Sequence, residues 1–142
     1  MAEDILWFET LKRGDVARVG GKNSSLGEMV QSLGGQGIAV PPGFATTAEA
    51  FRRYLAHNGL DAGIAEQLAL LEQGRQTLQE TGASIRKSIV AGEWPEEMRA
   101  SILQAYTELG ARSGGGEPSV AVRSSATAED LPEASFAGQQ ES

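Results

Sequence analysis

Two segments rich in small residues, far apart in the chain, each place one cation among hydroxyls and backbone amides. The first segment, residues 19–29, reads Val-Gly-Gly-Lys-Asn-Ser-Ser-Leu-Gly-Glu-Met and carries Lys22. Glycine permits a tight turn before a helix, so backbone N–H groups, the helix dipole and the Lys22 ammonium would meet one anion. A nucleotide P-loop is excluded, because its pattern needs a glycine and a hydroxyl where this chain has Val16 and Asn23.

The second segment, residues 120–130, reads Val-Ala-Val-Arg-Ser-Ser-Ala-Thr-Ala-Glu-Asp. Alternation of Val120 and Val122 predicts a half-buried strand that directs Arg123 outward, followed by a turn rich in hydroxyls. Taken singly, Lys22 and Arg123 each also fit an ordinary solvated surface charge. If the fold brings the two segments together, they form a cradle for a polyphosphate.

Both segments resemble signatures of one enzyme family. Residues 5–8, 19–29 and 40–51 are similar to the N-terminus of the phosphoenolpyruvate synthase (pyruvate, water dikinase) family, and residues 121–142 resemble that family's second signature. The resemblance extends over essentially the whole chain. Its two ends carry the specific motifs, whereas residues 60–118 match only as a helical spacer.

The resemblance implies an α+β fold, the first lobe of an ATP-grasp nucleotide-binding domain with several helices on a small sheet. It implies that residues 1–142 form one partial domain, truncated at its C-terminal end. The full-length enzyme would be a gluconeogenic phosphotransferase that converts ATP, pyruvate and water to AMP, phosphoenolpyruvate and phosphate, through a phosphohistidine on a separate domain. The isolated chain is expected to be inactive.

The resemblance also implies which residues bind ATP. The family's ATP-binding lysine corresponds to Lys22, and its phosphate-binding arginine corresponds to Arg123. A glycine-rich loop over the phosphates corresponds to Gly138. A hydroxyl four residues later, usually threonine in the family, corresponds to Ser142. No catalytic residue and no metal ligand is expected in this chain.

Metal and nucleophile chemistry receive little support from the residues themselves. Glu129 and Asp130 are carboxylates of the kind that bind Mg²⁺, but we expect them to be solvated loop acids. The resemblance places the ligands of the Mg²⁺ that accompanies ATP in a later segment. With no cysteine and His57 as the sole histidine, zinc and thiol hydrolases are disfavoured. His57 is predicted to lie at a helix end, where a cation favours the helix dipole.

Composition restricts the partners and the compartment. The formal net charge of −7 disfavours a nucleic-acid surface, which would be basic. An acidic N-terminus and the lack of cysteine predict a cytoplasmic protein, and no apolar run approaches the roughly 20 residues of a membrane helix. The expected partners are ATP, pyruvate through domains absent from this chain, and further copies in a homo-oligomer of the full-length enzyme.

The elements that position the two cations follow from local patterns. Residues 5–8 are predicted to form a buried strand. A helix is predicted to begin at Asn23 or Ser24, with Ser25 and Glu28 in capping-box spacing. The apolar side chains expected to face the core on this helix are Leu26, Met29, Val30 and Leu33.

Further elements follow along the chain. The turn at residues 41–43 leads into a strand at 44–45, and Thr46 with Glu49 is a second capping box that opens a helix. On that helix, one face is predicted to carry Phe51, Tyr54 and Leu55. Two helical stripes fill the middle of the chain: Ile64, Leu68 and Leu71, then Leu78, Ile85 and Ile89. A last helix is predicted from Pro95, with Gly110 as its stop.

Other functions remain open from the sequence. Rifampin phosphotransferase and pyruvate, phosphate dikinase have N-terminal lobes similar to this one, and residues 134–140 favour the synthase or the rifampin enzyme. An alternative of a different class is a non-catalytic helical interaction module, in which the Gly-Lys and Arg segments are ordinary loops.

Overall fold

The computed structural model describes residues 3–38 and 40–127. These residues divide into two compact units, one formed by the described parts of Met1–Ala50 and Glu97–Ser142, the other by Phe51–Glu96. Glu129, Asp130, Gly138, Ser142 and residues 134–140 lie outside the described residues.

The described chain combines helices with one small sheet, which is the α+β class predicted from the sequence. Its two strands are β1 (Ile5–Trp7) and β2 (Phe44–Thr46). Its α-helices are α1 (Val16–Val19), α2 (Gly21–Gly34), α3 (Ala48–His57), α4 (Leu60–Glu72), α5 (Leu78–Val90) and α6 (Glu96–Arg112). Short 3-10 turns occupy Phe8–Thr10 and Arg13–Asp15.

The two strands pair antiparallel, with Leu6 opposite Ala45 at the centre of the register. Both side chains are buried and belong to a core that also contains Leu11 and Val19. The strands predicted from the apolar segments are therefore confirmed to within a residue. Strand β1 ends because the chain enters a 3-10 turn at Phe8, whose carbonyl accepts from the Leu11 N–H at 3.1 Å.

Helix α2 begins earlier than the sequence predicted. Gly20, with φ 86°, separates it from α1, and the helix begins at Gly21. Ser25 therefore lies inside the helix, and the predicted capping box is wrong. Glu28 instead forms an ion pair with Arg13, with an N–O distance of 2.9 Å.

The buried face of α2 also differs from the prediction. Its buried residues are Gly21, Ser24 and Gly27, whereas Met29 is 45% exposed. The helix lies too close to the preceding loop for large side chains, because a Cβ at Gly27 would lie 2.5 Å from the Cβ of Leu11. The predicted apolar residues Leu26, Val30 and Leu33 are only partly buried.

The N-terminus of α3 is capped by Thr47, one residue after the predicted Thr46. The Ala50 N–H donates to Thr47 Oγ1 at 3.1 Å, and that hydroxyl donates to the Glu3 carbonyl at 2.8 Å. Thr46 is unable to act as the cap because it is the last residue of β2. The predicted helix is otherwise confirmed, with Tyr54 buried and Leu55 partly buried, although Phe51 is exposed.

The unit of residues 51–96 is helical, as predicted. A capping box between Thr77 and Glu80 opens α5. The Asn58 side-chain amide forms two hydrogen bonds with the Glu93 backbone and one with the Tyr54 carbonyl of α3. Of the two predicted stripes, four members are partly buried, namely Ile64, Leu71, Ile85 and Ile89. Leu68 and Leu78 are exposed.

Helix α6 begins at Glu96, one residue after the predicted start at Pro95, and does not stop at Gly110. Gly110 lies inside the helix and is buried, because the Gly116 carbonyl and the Pro118 ring pack against its Cα. Its role is therefore close packing rather than termination. Met98, Ala105 and Leu109 are also buried on this helix.

The strand predicted at Val120 and Val122 is wrong, because residues 118–127 contain no strand. Val122 is 76% exposed. A β-strand needs a neighbouring strand to pair with its backbone N–H and C=O groups. In this segment, two carbonyls instead accept hydrogen bonds from helices. The Tyr106 hydroxyl donates to the Pro118 carbonyl at 2.9 Å, and the Gly21 N–H donates to the Ala126 carbonyl at 3.1 Å.

Candidate functional site

The candidate site lies where residues 124–126 meet the N-terminus of α2. Lys22 Nζ donates to the Ser124 carbonyl at 3.3 Å. One residue earlier, the Gly21 N–H donates to the Ala126 carbonyl at 3.1 Å. The two segments that the sequence singled out are therefore in direct contact.

Gly20 makes this close contact sterically feasible. Its φ of 86° lies in the left-handed region that favours glycine. A Cβ at this position would collide with Ser125 Oγ and would lie 3.0 Å from both the backbone N and O of Ala126. A side chain at Gly20 would thus force residues 124–126 away from the helix.

The N-terminus of α2 has the features of an anion-binding position. Its N-cap is Gly20, and no side chain caps it by a hydrogen bond. The first N–H groups of a helix carry partial positive charge, and the Lys22 ammonium adds a full charge in the first turn. Asn23 stabilises the connection to α1, because its Nδ2 donates to the Val19 carbonyl at 2.9 Å.

Ser125 lies between the two residues whose carbonyls bind α2. Its Oγ is buried and has no hydrogen-bond partner within the part of the chain that the structure describes. The oxygen occupies the space that the missing side chain of Gly20 leaves. The sequence predicted a glycine turn before this helix but did not single out Ser125, although the Ser-Ser pair was the signal that could have indicated it.

Arg123 is exposed and directly precedes the residue that accepts the hydrogen bond from Lys22. The two predicted cations therefore belong to adjoining segments. Their contact with a common ligand stays a prediction, as do the roles of Gly138 and Ser142, which lie outside the described residues.

Within residues 3–38 and 40–127, no three Asp, Glu, His or Cys side chains come together as a group able to hold a metal ion. The same residues contain no helix that is both long enough and apolar enough to cross a membrane. His57 is exposed as the last residue of α3 and belongs to the unit of residues 51–96.

Comparison with known proteins identifies the family that this region belongs to. Residues 16–142 match the family model described as pyruvate phosphate dikinase, AMP/ATP-binding domain. The chain belongs to this family. The matched range contains Lys22, Arg123 and residues 124–126, so the candidate site lies within the AMP/ATP-binding family domain.

Curated relatives agree with the predicted resemblance. The chain is 54% identical over 138 residues to the phosphoenolpyruvate synthase of Neisseria meningitidis serogroup B, and 49% identical over 138 residues to that of Escherichia coli K12. Each match covers 96% of this chain but only 17% of the relative. A probable phosphoenolpyruvate synthase of Methanocaldococcus jannaschii is 46% identical over 138 residues, covering 96% of this chain and 11% of the relative. The chain thus spans a small part of the relatives that it matches.

Proposed function

We propose that this chain is the ATP-binding part of a phosphoenolpyruvate synthase. The contact of Lys22 with residues 124–126 at the N-terminus of α2, inside the range that matches the AMP/ATP-binding family, is the observation that carries the proposal. The whole enzyme would be a phosphotransferase that forms phosphoenolpyruvate, AMP and phosphate from pyruvate, ATP and water. Residues 1–142 would form a single partial domain, the first lobe of an ATP-grasp fold.

The proposed chemistry of this chain is electrostatic. Phosphoryl transfer depends on charge neutralisation and on positioning more than on covalent help from the protein. Lys22 would move its ammonium from the Ser124 carbonyl to a phosphate oxygen. Arg123 would bind a second phosphate with its planar guanidinium, which offers two parallel donors. Gly20 would keep residues 124–126 against this end of the helix, because Ser125 and Ala126 fill the space beside it.

The described residues fit the phosphate end of ATP. They offer an ammonium, a helix N-terminus without a side-chain cap, and a buried hydroxyl that lacks a partner among them. They do not fit a Mg²⁺ site, because no cluster of three ligand side chains is present among them. Mg²⁺ with ATP remains part of the proposal, with its ligands outside the described residues.

The remaining parts of the proposal rest on the family resemblance. Gly138 would allow close approach of a loop to the phosphates, and Ser142 would supply a hydroxyl there. Pyruvate would bind to other domains of the full-length enzyme, which would be a cytoplasmic homo-oligomer. The phosphoryl group would pass through a histidine on one of those domains.

The synthase is favoured over the related alternatives by the names of the relatives. The three relatives at 46–54% identity are called phosphoenolpyruvate synthase or probable phosphoenolpyruvate synthase. Membership of a nucleotide-binding family disfavours a non-catalytic helical module. Rifampin phosphotransferase and pyruvate, phosphate dikinase differ from the synthase in the acceptor, and assays with pyruvate, rifampin and phosphate as competing acceptors distinguish the three.

The proposal is tested by alanine substitution of the two cations in the full-length enzyme that contains this sequence. Lys22→Ala and Arg123→Ala are each expected to lower ATP-dependent phosphorylation by about a hundredfold or more, since each removes charge stabilisation of the transferring group. Their unfolding temperatures should stay near that of the unmodified enzyme. His57→Ala is the control and should change neither quantity. Near-native phosphorylation by both cation variants, at limiting and at saturating ATP, would overturn the assignment.

A further inference from the structure

The Ser125 hydroxyl has no role in the contacts that join residues 124–126 to α2. Those contacts use backbone carbonyls, from Ser124 to Lys22 and from Ala126 to Gly21. Ser125 Oγ is buried beside them without a hydrogen-bond partner among the described residues. Buried hydroxyls in native proteins are almost always paired, and an unpaired one destabilises the folded state. An alanine at position 125 would avoid this destabilisation, so the presence of a hydroxyl there indicates a role other than stabilising the fold.

The surroundings of the hydroxyl favour an anionic partner. Residues on both sides of Ser125 are held against the first turn of α2, where the helix dipole and the Lys22 ammonium are positive. A hydroxyl donates one hydrogen bond, and a phosphate oxygen is a strong acceptor that this positive charge would attract. The packing of Ser125 Oγ against Gly20 fixes the oxygen at the end of the helix.

We propose that Ser125 is a phosphate-binding residue, whose Oγ–H donates to an oxygen of the polyphosphate that Lys22 neutralises. Lys22 on α2 and Ser125 on the segment packed against it would then bind the same polyphosphate. The inference rests on the proposed function, because it assigns a further residue to the same ATP site.

The test compares binding with stability in the full-length enzyme. Ser125→Ala removes the hydroxyl, and Ser125→Cys fills the same space with a much weaker donor. Binding of inorganic triphosphate and of ATP is measured by titration calorimetry, and the unfolding temperature by differential scanning calorimetry. Ser32→Ala is the control, because Ser32 is an exposed serine on the same helix, α2.

Both Ser125 variants are expected to bind triphosphate and ATP about tenfold more weakly, as for the loss of one hydrogen bond to a charged group. Their unfolding temperatures should be unchanged or raised, because an unpaired buried hydroxyl has been removed. Ser32→Ala should match the unmodified enzyme in both measurements.

Two results would overturn the inference. The first is unchanged affinity in either Ser125 variant while Lys22→Ala binds weakly, which would leave the proposed function standing. The second is a lower unfolding temperature in both Ser125 variants, which would show that the hydroxyl already has a structural partner, such as a buried water. Unchanged affinity in Lys22→Ala would instead overturn the proposed function, and this inference with it.

Discussion

Lys22 Nζ and the carbonyl oxygen of Ser124 are joined by a 3.3 Å hydrogen bond between residues 102 positions apart in the sequence. The carbonyl is a neutral acceptor, whereas a phosphate oxygen carries a negative charge, so the Lys22 ammonium gains a direct Coulomb attraction to phosphate that the carbonyl does not offer. A phosphate would therefore compete effectively for the ammonium. The bond places Lys22 beside the segment that carries Arg123.

Gly20 should tolerate alanine far less well than a glycine of similar conformation. Gly20→Ala combines backbone strain at φ 86° with a collision against Ser125 and Ala126, whereas a methyl group added at Gly37, with φ 79°, would have no atom within 4 Å. We expect Gly37→Ala to cost about 1 kcal/mol from strain alone, and Gly20→Ala to cost at least about 1 kcal/mol more.

Chemical unfolding of the 142-residue chain measures this difference, with Gly37→Ala as the matched control. In the full-length enzyme, Gly20→Ala should also weaken ATP binding, since residues 124–126 can no longer lie against α2. Equal stability of the two variants would contradict the close contact at Gly20.

Glu9 should contribute stability that is lost in acid. Burial by itself raises the pKa of its carboxyl. The hydrogen bond from Arg112, a backbone hydrogen bond and the charge of Arg112 together lower the pKa by more, so it lies below its ordinary value. The Arg112 guanidinium also lies over the Trp7 ring, 3.9 Å from its centroid. Because the pKa is lower in the folded state, the stabilisation is present above the unfolded-state pKa and disappears as the pH falls through the folded-state pKa.

Glu9→Gln should therefore be less stable than the unmodified chain at neutral pH, and the difference should vanish at low pH. Urea unfolding at a series of pH values measures both. Glu28→Gln is the control, because the Arg13 side chain of its ion pair is 84% exposed, against 36% for Arg112, and more exposed pairs contribute less. A Glu9→Gln deficit that is independent of pH would show that the ionised carboxylate is not responsible.

Asn58 should be intolerant of a change to aspartate. Its Oδ1 accepts from the Glu93 N–H at 2.6 Å, while its Nδ2 donates to the carbonyls of Tyr54 and Glu93 at 2.9 Å each. Asn58→Asp keeps the acceptor but sets a carboxylate against two carbonyls. We expect a loss of about 1–3 kcal/mol, measured by chemical unfolding. Gln104→Glu makes the same chemical change at an exposed position and should be nearly neutral. Comparable stability of the two variants would contradict the bonding assigned to Asn58.

The 142-residue chain by itself is expected to bind ATP weakly and to form no AMP. Its described residues would offer charge contacts to phosphate but contain no metal-ligand cluster, and selective nucleotide sites also bury the base. Titration calorimetry with Mg-ATP and an AMP-release assay with pyruvate measure the two properties. Micromolar binding with steady AMP formation would show that the chain is a complete enzyme.

Local patterns in the sequence were sufficient for most elements of the fold. The apolar residues of β1 and β2, and the start of α6 after Pro95, depend on neighbours within a few positions, so they were predictable. The predictions were wrong where packing against a distant segment determines the local structure. Gly110 was expected to stop a helix, but Gly116 and Pro118 pack against it within a helix that continues to Arg112.

The sequence by itself determined the family, the residue types of the candidate site and the α+β class, because motifs and periodicity are properties of the chain. Only the tertiary structure decided that Lys22 contacts Ser124, that Gly20 leaves space for Ser125, and that residues 118–127 form no strand. Each of these depends on which distant backbone packs against which helix end. Burial and hydrogen bonding between distant segments are set by that packing, which no local pattern specifies.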